Sequence, residues 1–119
     1  MNLINNLVLG TFVATLAEAL AFGEDIGIDK TKVIDILSAG AGSSLVLTAK
    51  KEKLLTEDFS SHFSSALIYK DLHYLQDLAR ELKRPLFTGS ITKELFGMAL
   101  AEGLDGFDFS VIYRILKGL

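Results

Sequence analysis

The sequence predicts an all-α fold: six helices around one long, central apolar helix near the N-terminus. Three observations carry this. Apolar residues recur at three- and four-residue spacings along most of the chain, and no stretch of useful length alternates as a half-buried strand would. Gly, Asp, Ser and the single Pro fall where helices of ordinary length would begin and end. With 119 residues, 50% of them hydrophobic and 23% charged, the chain can bury a core as a single globular domain over residues 1–119.

The first helix is read from Leu3 to Glu24. It is apolar nearly all round, the pattern of a helix enclosed by others. Its length would also suffice for a membrane span, since about 20 helical residues cover about 30 Å. Asn5, Asn6, Thr11, Thr15 and Glu18 interrupt it, however, and no cluster of Lys or Arg flanks it, so enclosure in protein is expected rather than a span. No basic stretch precedes it, as a secretory signal would require. Gly10, Ala14, Ala17 and Ala21 form a stripe of small side chains along one face, suited to close approach by a second helix, including one from a second copy. Glu18 lies beside the stripe and would need a partner if enclosed. Gly23 and Gly27 are expected to break the run.

Asp29 is predicted to cap a second helix with Val33, Ile34, Ile36 and Leu37 facing inward and Gly40 just past its end. The Ala39–Ser44 segment lacks a preceding strand and a following Gly-Lys-Ser/Thr, so it reads as a flexible connector with a Ser cap rather than a phosphate cradle. A third helix is expected over Leu45–Leu55, its Lys50-Lys51-Glu52-Lys53 run forming a solvated face. The fourth, His62–Leu82, carries an inward stripe of Ile68, Leu72, Leu75, Ala79 and Leu82. Lys70 projects nearly opposite, on a side shared with Phe63, Leu67 and Tyr74. Pro85 ends this helix. The fifth is read over Phe87–Glu102, with Ile91, Leu95 and Met98 in line and Gly103 as its stop. Asp108 starts the last, with Val111, Ile112, Ile115 and Leu116 inward and Gly118 at its close.

Composition removes several classes of function. A net charge of −3 gives no electrostatic basis for binding nucleic acid or an anionic membrane surface. The absence of cysteine excludes disulfides, thiolate zinc sites and cysteine nucleophiles, and fits a cytoplasmic protein. No Gly-x-Gly-x-x-Gly lies between a strand and a helix, and no His-Glu-x-x-His or aspartate cluster suggests a metal. His62 and His73 are isolated and fit surface or capping roles. Ser43 and Ser44 lack a nearby base and fit caps rather than nucleophiles. The tyrosines are expected to pack with their hydroxyls in water.

One feature stands apart from packing. Asn5 and Asn6 lie in the first turns of an otherwise apolar helix, where asparagine competes for the backbone. They are compatible with a solvated helix start or with a polar site at its mouth. Asn5-Asn6 is followed by Ala17-Glu18-Ala19, Gly27-Ile28-Asp29, the Ala39–Ser44 connector and Phe63 to Lys70-Asp71-Leu72. The lone Pro85 and the Gly103 to Asp108-Phe109-Ser110 turn complete the series. Taken in order and with these gaps, the chain resembles the C-terminal helical domain of the β-hydroxyacid dehydrogenases, the 3-hydroxyisobutyrate dehydrogenase family, over essentially its whole length. Imine reductases share the fold and are a close alternative.

The resemblance implies an N-terminal Rossmann domain that binds NAD or NADP, with the helical domain closing over the nicotinamide and mediating dimerisation. The substrate would be a small β-hydroxy acid. In that family the catalytic lysine lies three residues before the asparagine pair, a position held here by Asn2. Asn6 matches the asparagine that helps position substrate and lysine. Lys70 matches a lysine near cofactor and substrate. An amide does not titrate in the useful range, so Asn2 cannot replace the lysine as acid or base. A truncated or degenerate relative, an excised domain cut beside the lysine, and a protein using another acid all fit. The chain alone is expected to be inactive and to bind neither cofactor well. A rival reading, from a different class, is a standalone helical interaction module without chemistry.

Overall fold

The computed structural model describes the backbone of residues 2–119 and the side chains of residues 3–119; the side chain of Asn2 lies outside the described residues. Six α-helices follow one another: α1 (Asn2–Asp25), α2 (Lys30–Ala39), α3 (Leu45–Thr56), α4 (Ser65–Glu81), α5 (Phe87–Ala101) and α6 (Ile112–Lys117). A single 3₁₀ turn, Phe109–Val111, leads into α6. Among the described residues there is no strand, so the expected all-α class holds, with every other helix in contact with α1.

The caps explain most boundaries. Asp29 accepts from the Thr31 amide, Ser44 from the Leu47 amide and Ser64 from the Leu67 amide, each satisfying a donor that the first turn leaves free. Ser44 is thus a cap, as its position suggested. Ser64 places the start of α4 three residues after the expected His62, which lies outside the helix. At the other ends, Gly27 and Gly103 adopt positive φ, where glycine carries no Cβ penalty. Gly23 does not break α1, which runs on to Asp25. A Cβ there would come within 2.7 Å of Val33 Cγ2, so the glycine instead lets α2 approach closely.

The core joins Val13, Leu16, Ala17 and Leu20 of α1 to Ile68 and Leu72 of α4, Phe96 of α5 and Ile112 of α6. The small-residue stripe is consumed within this core. Gly10, Ala14, Ala17 and Ala21 are all buried inside one copy, and a Cβ on Gly10 would lie 3.1 Å from Ile68 Cδ1. The stripe therefore serves packing within the chain, not a second copy. Ala17→Leu is expected to overpack this contact and destabilise the fold by about 1–3 kcal/mol. Thermal denaturation checks it: an unchanged melting temperature would contradict close packing at Ala17.

Several expected faces differ. Ile36 on α2 and Leu82 after α4 are exposed. On α5 the buried residues are Gly89, Thr92, Lys93, Phe96 and Ala99, whereas Ile91 and Met98 are exposed. The inner face is thus rotated from the Ile91–Leu95–Met98 line, and only Leu95 among those three packs against the core. Nor is α1 enclosed on all sides, because Ile4, Val8 and Phe22 remain exposed and Glu18 lies on the same open side. Tyr113 is fully buried, and its hydroxyl donates to Glu24 rather than to water. Burial and the neighbouring Glu24 carboxylate raise the Tyr113 hydroxyl above the ordinary tyrosine range.

The lysine run on α3 departs furthest from expectation. Lys50 and Lys53 are buried, not solvated. Lys53 Nζ donates to the Ser60 carbonyl at 2.6 Å. Lys50 Nζ donates to Asp108 Oδ1 at 2.9 Å, and Asp108 is wholly inaccessible. The same carboxylate accepts from the backbone amides of His62, Phe63 and Ser110 and from the Ser110 hydroxyl. It thereby ties α3, the strap before α4 and the start of the C-terminal segment together. Backbone bonds reinforce the junction, from Asp108 N to Phe59 O at 2.9 Å and from Phe109 N to Phe63 O at 2.8 Å.

Candidate functional site

Two neighbouring asparagines on α1 point to different surroundings, as about 100° of helical rotation per residue requires. Asn5 is exposed and lines an apolar groove of about 600 Å³ between α1 and the start of α3, with Val8, Phe12, Leu45, Lys50 and Phe63. Asn6 is half-buried and faces α4, where its Nδ2 donates to Asp71 Oδ2 at 2.8 Å. Neither the frayed start nor the polar mouth describes both residues: Asn5 is solvated, whereas Asn6 is held by a specific partner.

Asp71 stands beside Lys70 near the second turn of α4. Lys70, Asp71 and Tyr74, together with Leu3 of α1, line a hollow of about 390 Å³. The fold therefore brings the region of Lys70 to the same α1–α4 junction as Asn6. Lys70 itself is exposed, and so are Leu67 and Tyr74 on the same side, so the apolar neighbours of Lys70 do not cover that face of α4 as their presence suggested. Asn2 lies one turn before Asn6 in the backbone of α1. Its side chain, at the position that the resemblance assigns to the family lysine, lies outside the described residues.

Sequence reasoning missed Asp71, although it stands inside the Lys70-Asp71-Leu72 segment. The available signal was its place between an outward Lys70 and an inward Leu72, at the edge of the buried stripe. Nothing local indicated Asn6 as the partner, because the pair is 65 residues apart in sequence. The arrangement offers an oriented amide, a carboxylate and an exposed ammonium at the open end of the longest helix. These can donate to, accept from and attract a small anionic molecule. Among the described residues no three His, Asp or Glu side chains are grouped to hold a metal ion.

A long helix wrapped by five shorter ones is the architecture of the helical domain of the hydroxyacid dehydrogenases. The solved structure of 3-hydroxyisobutyrate dehydrogenase from Salmonella typhimurium superposes with a TM-score of 0.90 at 26% identity, over 96% of this chain and 40% of that one. The chain belongs to the family described as NAD-binding of NADP-dependent 3-hydroxyisobutyrate dehydrogenase, which it matches over residues 1–116. L-threonate dehydrogenase of Cupriavidus necator is 30% identical over all of this chain, which spans 40% of that relative's length. The cytokine-like nuclear factor N-PAC of Homo sapiens is 32% identical over 96% of this chain and 21% of its own length. The chain thus spans well under half the length of these relatives.

Proposed function

We propose that this chain is the helical half of an NAD(P)-dependent β-hydroxyacid dehydrogenase, which closes over the nicotinamide held by a Rossmann domain and associates as a homodimer in the cytoplasm. The single domain of residues 1–119 contributes Asn6 and position 2 to the substrate and Lys70 to the cofactor. The carrying observation is the junction of Asn6, Asp71 and Lys70 at the N-terminal end of α1, in a chain that matches its family over residues 1–116. Hydride transfer to or from a carbinol carbon requires a proton to move on the oxygen. Asn6 can hold that oxygen, and Lys70 can attract the substrate carboxylate or a cofactor phosphate. The bound nicotinamide supplies the hydride chemistry itself.

A Rossmann domain carries the glycine-rich turn and helix N-terminus that grip a pyrophosphate, and this sequence has no such motif. The chain alone is therefore expected to bind NAD and NADP more weakly than micromolar. Calorimetric titration with each cofactor tests this. A micromolar dissociation constant, equivalent to about 8 kcal/mol, would mean that the helical domain carries a cofactor site of its own. Fusion to the Rossmann domain of a related dehydrogenase, followed by assay against a panel of β-hydroxy acids, tests the reaction class.

Exposed apolar side chains support association. Ile4, Val8 and Phe22 on α1 and Phe87 and Ile91 on α5 are exposed, and Thr11, Thr15, Thr88 and Ile91 line a shallow hollow where the two helices meet. Apolar side chains exposed on two adjoining helices offer a surface for a second copy, with two-fold symmetry the default. Light scattering across a concentration series is expected to give twice the 13.0 kDa mass of one chain. A particle that stays at 13.0 kDa at the highest concentration would contradict it. The N-PAC likeness favours a second reading, an interaction module without catalysis, because its name denotes a nuclear factor rather than an oxidoreductase. That reading predicts association without turnover in every fusion.

A further inference from the structure

We infer that Asp71 is a positioning residue, whose carboxylate sets the Asn6 amide so that its oxygen is free to face the site. The inference rests on the proposed dehydrogenase reading for its functional meaning, but its geometry stands independently. An ionised carboxylate only accepts hydrogen bonds, so the atom of Asn6 facing it must be the nitrogen. The 2.8 Å contact from Asn6 Nδ2 to Asp71 Oδ2 meets that requirement. One N–H is thereby occupied. Among the described residues the amide oxygen, with its lone pairs, and the second N–H have no other hydrogen-bond partner.

The consequence is chemical. A freely rotating asparagine can present either end to a ligand, whereas one held by Asp71 presents an acceptor in a defined direction. An acceptor there selects a donor, such as the hydroxyl of a hydroxy acid. Asp71 is half-buried and also lines the hollow with Lys70 and Tyr74. It is thus close enough to the site to matter while its carboxylate is already committed to Asn6. The bond also joins α1 to α4 across 65 residues, so the amide is tied to the helix that carries the buried Ile68 and Leu72.

The test uses Asp71→Leu, which removes the acceptor at similar size, and Asp71→Asn, whose own amide oxygen can accept the same bond. In the 119-residue chain, exchange of the Asn6 side-chain amide protons is followed by NMR. Asp71→Leu is expected to speed that exchange about tenfold or more, the scale of one hydrogen bond to a charged group. Asp71→Asn should restore most of the protection, with thermal melting of both variants near that of the parent. Unchanged exchange in Asp71→Leu would overturn the inference.

The second arm uses a Rossmann fusion carrying lysine at position 2. There Asp71→Leu is expected to lower kcat more than it raises KM, and Asp71→Asn to recover much of the loss. Release of the amide with neither constant altered would also overturn a positioning role. A fusion that is inactive with Asp71 intact would instead strike the dehydrogenase reading, leaving the amide result as it stands.

Discussion

Lysine at position 2 is expected to raise the turnover of a Rossmann fusion by about two orders of magnitude or more over the same fusion with Asn2, since a positioned general acid or base contributes typically 10²–10⁴-fold. The helix is continuous through residues 2 to 6, so position 2 and Asn6 lie one turn apart in its backbone. The amide oxygen of Asn6, whose nitrogen is held by Asp71, could accept from the ammonium of a lysine one turn away. Closure by the second domain would remove water and lower the ammonium's pKa toward neutrality. The isolated chain with Asn2→Lys should remain inactive, because no hydride donor is positioned. Steady-state kinetics of the two fusions decides the matter. Equal turnover would show that position 2 is not the family's lysine position.

Removal of the Asp108 carboxylate is expected to be the most damaging single change to stability. Asp108→Ala would leave Lys50 buried without its partner and the amides of His62, Phe63 and Ser110 without an acceptor. Breaking a buried pair from one side costs about 3–5 kcal/mol, which for a domain of this size lowers the melting temperature by roughly 10–20 °C. Adding Lys50→Met should recover part of the loss by removing the stranded charge, but not all, since the backbone amides stay unpaired. Full recovery would mean that the ion pair alone mattered.

The same node gives the protein an acid limit. Burial alone would raise the Asp108 carboxyl. Hydrogen bonds from the Ser110 hydroxyl, Lys50 and the Phe63 and Ser110 amides outweigh it and hold the group below the ordinary carboxylate range. A depressed folded-state pKa stabilises fully above the unfolded value, about 3.9 for Asp, and that contribution is lost as pH falls through the lower folded value. Urea midpoints measured from neutral pH downward should therefore fall steeply in the acid range, and less steeply in the Asp108→Ala variant. Parallel pH profiles would remove Asp108 as the source.

The candidate site was partly legible for a simple reason. Asn6 was visible as an amide out of place on an apolar helix, and Lys70 as a lysine on a side shared with Tyr74 and Leu67. Their connection was not, because Asp71 meets Asn6 only after α4 has folded back along α1. The buried lysines show the same limit. Lys50 and Lys53 look like part of a solvated run until the C-terminal segment places Asp108 over one and the strap after α3 presents the Ser60 carbonyl to the other.

By itself the sequence determined what short-range physics controls: six helices, their caps at Asp29 and Ser44 and the glycine turns at Gly27 and Gly103, since each depends on residues within a turn or two. Only the tertiary structure decided which faces are covered. It turned the α5 core to Gly89, Thr92, Lys93, Phe96 and Ala99, spent the small-residue stripe of α1 on α4 and the core, and buried Tyr113 against Glu24. Burial of a face depends on the neighbour that packs against it, and that neighbour is supplied by residues distant in the chain. Polar partners such as Asn6 with Asp71 and Lys50 with Asp108 follow the same rule, because a buried donor is tolerated only where the folded chain delivers its acceptor.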